Sequence, residues 1–154
     1  MGHWLMKSEP DVFGIDDLAK TTRKTTHWDG VRNFQARNFM RDGMRVGDLA
    51  FFYHSNCEEP AIVGLVEIVR TGYPDHTAFD AKDPHFDPDS DPQQPRWFMV
   101  DVRLRRKLAR PITLAALRDH SGGALKGLAL LRRGNRLSVM PVNAAHWKFI
   151  LGLE

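Results

Sequence analysis

Two apolar segments near the middle of the chain constrain its fold more than any other feature. LAFFYH at 49–54 and AIVGLVEIV at 61–69 are rich in aromatic and β-branched residues, and the turn-like SNCEEP separates them. This pattern predicts two strands that pair as an antiparallel hairpin. Gly64, inside the second segment, predicts a bulge or a close backbone approach, as in a curved sheet.

Shorter patterns place the other elements around this hairpin. Strands are predicted from HWLMKS (3–8), RWFMVDVRL (96–104) and RLSVMPV (136–142), and helices from IDDLAK (15–20), NFQARNFMRD (33–42), LAALRD (114–119) and AAHWKFILGL (144–153). Gly43 is expected to end the second helix, and Thr113 and Asn143 are expected to cap the last two. The order predicts an α+β fold in which a sheet curled into a small β-barrel is flanked by short helices.

Length and composition limit the class of protein. A chain of 154 residues with 42% hydrophobic residues fits one domain over residues 1–154. No apolar run approaches the roughly 18 residues of a membrane span, and the first ten residues lack the apolar stretch of a signal sequence. The single cysteine, Cys57, agrees with a reducing compartment. We therefore expect a soluble, intracellular protein, cytoplasmic or located at the nucleoid or nucleus if it reads DNA.

Charge is distributed unevenly along the chain. The net charge of +3 permits a nucleic-acid partner without identifying one. Ten basic residues but only one acidic residue lie between Arg103 and Arg136, a run that fits either solvated surface or a nucleic-acid contact. Residues 73–95, the acidic loop, contain six aspartates among prolines, which predicts an irregular segment in solvent.

The sequence offers little for catalysis or for cofactor binding. It contains no G-x-S-x-G motif and no glycine-rich phosphate motif, and its seven histidines lack metal-ligand spacing. Cys57 follows His54 by three residues, a spacing that does not by itself make a catalytic dyad. We expect no metal site and no cofactor.

Two aromatic residues, Trp28 and Tyr53, stand among polar side chains. The polar neighbours are Asp29 and Asn33 after Trp28, and His54, Ser55 and Asn56 after Tyr53. An unstacked nucleobase needs flat faces to stack on and polar groups for its Watson–Crick edge, so both groups are candidates for a base pocket. In the alternative interpretation both aromatic residues belong to the core and Asp29 caps a helix.

Six segments, taken in order, resemble the successive blocks of an EVE domain. They are HWLMKSEPDVFGIDDL, WDGVRNFQARNFM, VGDLAFFYHSN, IVGLVEIV, PRWFMVDVRL and LLRRGNRLSVMPV, and together they cover nearly the whole chain. The resemblance implies a PUA-like fold related to YTH domains, which hold a methylated adenine in an aromatic cage. It implies a non-catalytic module that reads a modified base in DNA or RNA, and one group of the family is linked to oxidised methylcytosine.

The resemblance also assigns roles to residues of this sequence. Trp28 matches the position of the first cage tryptophan of YTH domains, and Ser8 in KSEP matches the serine after the first strand. Tyr53 to Asn56 fall in the region that builds the other wall of the cage. Because YHSNCEEP contains no second tryptophan, a hydrogen-bonding pocket for a methylated or oxidised cytosine is favoured over a full aromatic cage.

In this hypothesis a flipped or unpaired base stacks on Trp28 while basic side chains hold the backbone. The basic residues assigned to phosphate are Lys7, Arg32, Arg37, Arg132, Arg133 and Arg136. In the alternative interpretation, Arg132, Arg133 and Arg136 bind no phosphate and only surround a glycine turn, at Gly134, between a helix and a strand.

Two other functions remain open. Related PUA-like and ASCH folds include base-directed hydrolases, for which Asp29 and Glu9 would be the candidate acid and base. A protein-interaction module would instead use the acidic loop as its contact surface.

Overall fold

A computed structural model describes residues 2–154, which form a six-stranded mixed sheet surrounded by short helices. The strands are β1 (His3–Ser8), β2 (Thr25–Trp28), β3 (Leu49–His54), β4 (Ala61–Pro74), β5 (Phe98–Thr113) and β6 (Val139–Pro141). Their order across the sheet is β2-β5-β4-β3-β1-β6. The parallel pair is β1 with β3, and the other neighbours are antiparallel.

The helices are short and lie between the strands. They are α1 (Pro10–Phe13), α2 (Ile15–Lys20), α3 (Phe34–Asn38), α4 (Leu114–Arg118) and α5 (Ala144–Leu151). A π-helical turn, Phe39–Gly43, continues α3, and 3₁₀ turns occupy Thr22–Lys24, His76–Phe79 and Ala129–Leu131. Within residues 2–154, no helix has both the length and the apolar character needed to cross a membrane.

The predicted hairpin is confirmed as β3 and β4. Phe52 pairs with Gly64, but the next residue, Tyr53, pairs with Ile62, so Val63 is the extra residue of a bulge. The predicted close approach at Gly64 is also present, since a β-carbon built there would lie 2.7 Å from Ile15 Cδ1 and 3.1 Å from the Arg106 carbonyl oxygen. Gly64 therefore lets α2 and β5 pack directly against β4.

Both faces of the sheet centre are covered. In β1, three successive residues, Trp4, Leu5 and Met6, are buried, although their side chains alternate between faces. Phe51 and Phe52 of β3 are likewise fully buried. The outer strands β2 and β6 do not pair with each other among the described residues, so the predicted curled barrel is hydrogen-bonded as an open sheet.

The predicted helix caps are partly correct. Thr113 accepts a hydrogen bond from the Ala116 amide, and Asn143 accepts one from the His146 amide, as expected of N-caps. Asp29, however, starts no helix: the cap of α3 is Asn33, which accepts from the Ala36 amide at 3.0 Å. The intervening residues belong to no helix or strand, and β2, which the sequence pattern did not predict, leads into them from its pairing with β5.

The acidic loop is not a simple solvated segment. Five of its six aspartates accept a hydrogen bond from the backbone amide two residues later, which is the Asx-turn pattern. These five are Asp75, Asp80, Asp83, Asp87 and Asp91. The predicted irregular structure is therefore a series of turns, each fixed by its own carboxylate, and the loop starts later than predicted because β4 continues to Pro74.

Asp75 anchors this loop to the segment after β2. Its carboxylate is fully buried and accepts from the Gly30 amide at 2.8 Å, from Arg32 Nη1 at 3.0 Å and from the Thr77 hydroxyl at 2.6 Å. Burial alone would raise the pKa of Asp75, but these hydrogen bonds outweigh it and hold the pKa below its ordinary value. The carboxylate is thus charged and paired at neutral pH.

We predict that Gly64→Ala lowers the free energy of unfolding by about 1–3 kcal/mol, because the added methyl group overpacks the contact with Ile15 and Arg106. Urea denaturation measures this change. Gly122→Ala is the matched control, since a β-carbon at Gly122 meets no atom within 4 Å. Equal effects of the two substitutions would contradict the close approach.

We predict that Asp75→Asn destabilises the protein by at least about 3 kcal/mol at pH 7, because it removes the charge that a buried network is built to pair. A lowered pKa in the folded state means that the charged network stabilises the fold above the ordinary carboxyl pKa and loses this effect as the pH falls through the folded-state pKa. The difference between variant and wild type should therefore shrink below about pH 4.

Denaturation at pH 7 and pH 3 tests both statements. Asp89→Asn is the control, because Asp89 is the exposed aspartate of the loop that makes no Asx turn. A destabilisation by Asp75→Asn that does not change with pH would contradict the account.

Candidate functional site

A cleft of about 620 Å³ opens where β1, β2, the acidic loop and the segment before β6 meet. This volume lies in the range of pockets that hold small organic groups. The residues that line the cleft are Lys7, Ser8, Glu9, Val12, Phe13, Thr26, His27, Trp28, Asp29, Gly30, Val31, Ser55, Asp83, Pro84, His85, Arg136, Leu137 and Ser138.

Trp28 belongs both to the core and to the cleft. It ends β2 opposite Val100 of β5, and its ring meets Phe52 edge-on at 5.4 Å between centroids. Only 7% of the residue is exposed, and it is one of the residues that line the cleft. Trp28 is therefore a core residue that also lines the cleft, so the core and pocket interpretations of the sequence do not exclude each other.

The carboxyl end of β1 supplies a second side of the cleft. Lys7 and Ser8 lie there, and the Ser8 hydroxyl donates to the Phe13 carbonyl oxygen at 2.5 Å, which leaves its oxygen free to accept. Burial lowers the pKa of Lys7. Because β1 is parallel to β3, these residues pair with Tyr53 and His54 and bring the ends of both strands together.

The end of β3 and the residues after it contribute less to the cleft than predicted. Tyr53 is buried, and His54 Nε2 accepts from the Ile15 amide at 3.1 Å, so neither residue lines the cleft. Burial raises the pKa of Tyr53 and lowers that of His54. Ser55 does line the cleft, while Asn56 lies outside it and donates a hydrogen bond to Glu9 Oε1.

The acidic loop forms the wall opposite β1. Its residues Asp83, Pro84 and His85 line the cleft, and the His85 carbonyl oxygen accepts from Arg32 Nη2 at 2.7 Å. Gly30 packs against the His85 ring with φ +77°, and a β-carbon there would lie 2.6 Å from the ring. Glycine is therefore required at position 30 by both the backbone conformation and the contact.

The structure brings six of the predicted site residues to the cleft: Lys7, Ser8, Trp28, Asp29, Ser55 and Arg136. Asn33 faces elsewhere because its side chain caps α3. Arg32 holds Asp75 and His85, and Arg37 donates to the Arg96 carbonyl oxygen. Arg132 and Arg133 are exposed in the turn before Arg136 and make no side-chain hydrogen bond or ion pair within residues 2–154.

Sequence reasoning missed most of the loop wall. No spacing pattern links Asp83 or His85 to Trp28, since the two segments are more than fifty residues apart in the sequence and meet through contacts such as those of Asp75 and Arg32. Glu9 was named only as a candidate acid or base. Its place in the cleft follows from KSEP, because it is the residue directly after Ser8.

The charges in the cleft favour a neutral, polar group over an anion. Three carboxylates, Glu9, Asp29 and Asp83, line it together with the cations Lys7 and Arg136. Carboxylates in this number would repel a phosphate held inside, whereas they accept hydrogen bonds from amino groups. Within residues 2–154, no three His, Cys, Asp or Glu side chains are grouped so as to hold a metal ion.

The chain is similar in sequence and in structure to known proteins. Thymocyte nuclear protein 1 from Danio rerio is 51% identical over 166 residues, which cover 98% of this chain and 71% of the relative. The Homo sapiens protein of the same name is 48% identical over 167 residues, which cover 99% and 73%. A crystal structure of human THYN1 protein in complex with 5-methylcytosine containing DNA superposes with a TM-score of 0.95 at 48% identity, covering 99% of this chain and 97% of that one.

The fold comparison thus agrees with the PUA-like architecture expected from the sequence. The sequence model of the EVE domain matches residues 2–153. This match, together with relatives that are about half identical over nearly the whole chain, shows that the chain belongs to the EVE domain family.

Proposed function

We propose that residues 1–154 act as one non-catalytic DNA-binding module that holds a modified cytosine in the cleft beside Trp28. The observation that carries this proposal is the likeness to human THYN1, which has been crystallised with 5-methylcytosine containing DNA and shares 48% of its sequence with this chain. Since a base inside a duplex is out of reach of such a cleft, the target cytosine has to be flipped out or already unpaired.

The lining of the cleft matches the chemistry of a methylated or oxidised cytosine. Its ring stacks on Trp28, and its exocyclic amino group donates to a carboxylate, for which Asp29 and Glu9 are the candidates. Ser8, Ser55 and Ser138 offer hydroxyl groups to the remaining edge atoms or to an oxidised substituent.

A 5-methyl group needs an apolar contact, which the same cleft also contains. Besides Trp28, its apolar lining residues are Val12, Phe13, Val31, Pro84 and Leu137. The apolar patch would contact the methyl group that an unmethylated cytosine lacks. The polar residues would bind the hydrogen-bonding edge that a phosphate lacks.

We assign the phosphate contacts to cations at the rim. Lys7 and Arg136 line the cleft, and Arg132 and Arg133 are exposed in the adjoining turn. Arginine binds phosphate bidentately and positions the strand without reading its sequence. Arg32 is assigned instead to support of the acidic loop, since Asp75 and the His85 carbonyl oxygen already engage its guanidinium.

DNA is preferred over RNA in this proposal because the THYN1 complex contains DNA. The protein would then act where a cell keeps its DNA, at the nucleoid or in the nucleus, rather than throughout the cytoplasm. A contact role for the acidic loop gains no support, because the loop forms a wall of the cleft and five of its six aspartates are engaged in turns.

A base-directed hydrolase is the alternative with an observation in its favour, since Glu9, Asp29 and Asp83 share one cleft. Incubation with DNA that contains methylcytosine or hydroxymethylcytosine, followed by mass spectrometry, separates the two functions. A reader returns the DNA unchanged, and release or conversion of the base would contradict the proposal.

We predict that Trp28→Ala weakens binding to DNA with one 5-methylcytosine by about 5- to 150-fold, the value of one base–aromatic stack. Fluorescence polarisation measures the change. Loss of a largely buried tryptophan also costs about 3–5 kcal/mol of stability, so a matched control is needed. Trp147→Ala supplies it, because Trp147 is 6% exposed, packs on Phe51 at 3.9 Å and lies away from the cleft.

The two variants should be similarly destabilised, and only Trp28→Ala should lose affinity. If the alanine variants do not fold, Trp28→Phe and Trp147→Phe give the same comparison with smaller changes. Equal affinities for Trp28→Ala and Trp147→Ala would show that Trp28 is a core residue only.

We predict that Arg133→Ala weakens binding to cytosine and 5-methylcytosine DNA by the same factor and reduces the slope of log affinity against log salt concentration by about 1, as expected for one lost phosphate contact. Arg105→Ala is the control, because Arg105 is exposed but paired with Glu67 at 2.8 Å on the sheet. A loss confined to methylated DNA would contradict the phosphate role.

A further inference from the structure

A second cavity, of about 400 Å³, lies on the other side of the loop wall. Pro84 and His85 line both cavities, so the thickness of this short segment separates them. The second cavity is also lined by Phe34 of α3 and by Trp97, which directly precedes β5. None of these aromatic residues takes part in the base cleft described above.

Phe34 is unusually open for a residue of its size. It is 54% exposed, yet its inner face stacks on Trp97 with centroids 4.8 Å apart and planes 19° apart. Trp97 is held in turn, since it is 6% exposed and its Nε1 donates to Asp87 Oδ2 at 2.6 Å. The phenyl ring is therefore fixed in position before any ligand arrives.

The arginine nearest this stack lies over the Phe34 ring, away from its outer face. The Arg37 guanidinium carbon is 4.9 Å from the Phe34 centroid and 6.0 Å from the Trp97 centroid. With the two rings 4.8 Å apart, an arginine on the outer face of Phe34 would be much farther from Trp97. The outer face of Phe34 thus remains free, and a cation lies 4.9 Å from the ring centroid.

A second cation completes the surface. Arg96 lines the cavity, where its Nη2 donates to the Asp89 carbonyl oxygen at 3.0 Å and its Nε lies 3.9 Å from Asp87. A flat aromatic face flanked by arginines is the combination that binds a nucleotide of a single strand, because the base stacks and the phosphate meets the cations.

We propose that Phe34 stacks the base adjacent, in the same strand, to the one held in the cleft, with Arg37 and Arg96 beside its phosphate. This inference rests on the proposed function, and it deepens that function by making the unit of recognition two neighbouring nucleotides. The wall of Pro84 and His85 then stands between the two bases and keeps them apart.

The test uses the whole chain and three DNA oligonucleotides of equal length, each with one 5-methylcytosine, in the strand form that wild type binds more tightly. One carries all its bases, and the others carry an abasic site immediately 5′ or 3′ of the methylcytosine. For each protein, the loss is the affinity for the complete oligonucleotide divided by the affinity for an abasic one. For one of the two abasic oligonucleotides, this loss should be about 5- to 150-fold larger in wild type than in Phe34→Ala.

Phe34→Tyr should behave as wild type, since it keeps the ring. Val46→Ala is the control for removal of an exposed apolar side chain, because Val46 is 63% exposed and lines neither cavity. The proposal would be overturned if wild type binds the complete oligonucleotide but Phe34→Ala and wild type lose the same affinity with each abasic oligonucleotide. Failure of wild type to bind the complete oligonucleotide would instead overturn the proposed function itself.

Discussion

The buried carboxylate of Asp75 is the contact on which the cleft depends. It joins two segments that the sheet alone would leave apart, because its partners are the Gly30 amide and Arg32 after β2 and Thr77 within the acidic loop. Arg32 extends the connection to the His85 carbonyl oxygen. A charge that is fully buried is tolerated only when it is paired and hydrogen-bonded, so this network has essentially one geometry. The geometry of the loop wall follows from it.

The same constraint separates the two surfaces of the loop. On one side the wall faces Trp28 and the carboxylates of the cleft, and on the other it faces the Phe34–Trp97 stack. The base cleft combines hydrogen-bond acceptors with apolar residues, whereas the exposed stack combines an aromatic face with arginines. A strand that crosses the wall would therefore meet a site that reads a base and then a site that only stacks one.

Local patterns predicted the parts of the fold that depend on local chemistry. The hairpin of β3 and β4, the bulge at Gly64 and the caps at Thr113 and Asn143 follow from residue types that act within a few positions of themselves. Strand β2 was missed because TTHW carries no strong strand pattern and is extended by its pairing with β5. The role of Asn33 was misplaced for a similar reason, since both Asp29 and Asn33 were assigned to the base pocket and the sequence does not show which of them caps α3.

The candidate site was predictable only in part, because it is assembled from distant segments. Trp28, Asp29 and Ser8 were identified from their neighbours and from the family resemblance, and they do line the cleft. Asp83 and His85 were not, since aspartates in a proline-rich loop have the composition of solvated surface. The buried hydrogen bonds of Asp75 distinguish this loop from such a surface, and those bonds are contacts between segments far apart in the chain.

The central claim is that the cleft distinguishes a modified cytosine from an unmodified one. The most direct measurement compares wild-type affinity for DNA oligonucleotides that are identical except for cytosine, 5-methylcytosine or 5-hydroxymethylcytosine at one position, each at two salt concentrations. The account predicts a preference of at least about tenfold for one modified base, or about 1.4 kcal/mol, with the same salt dependence for all of them. Equal affinities that fall together with salt would contradict it and leave only a binder of the phosphate backbone.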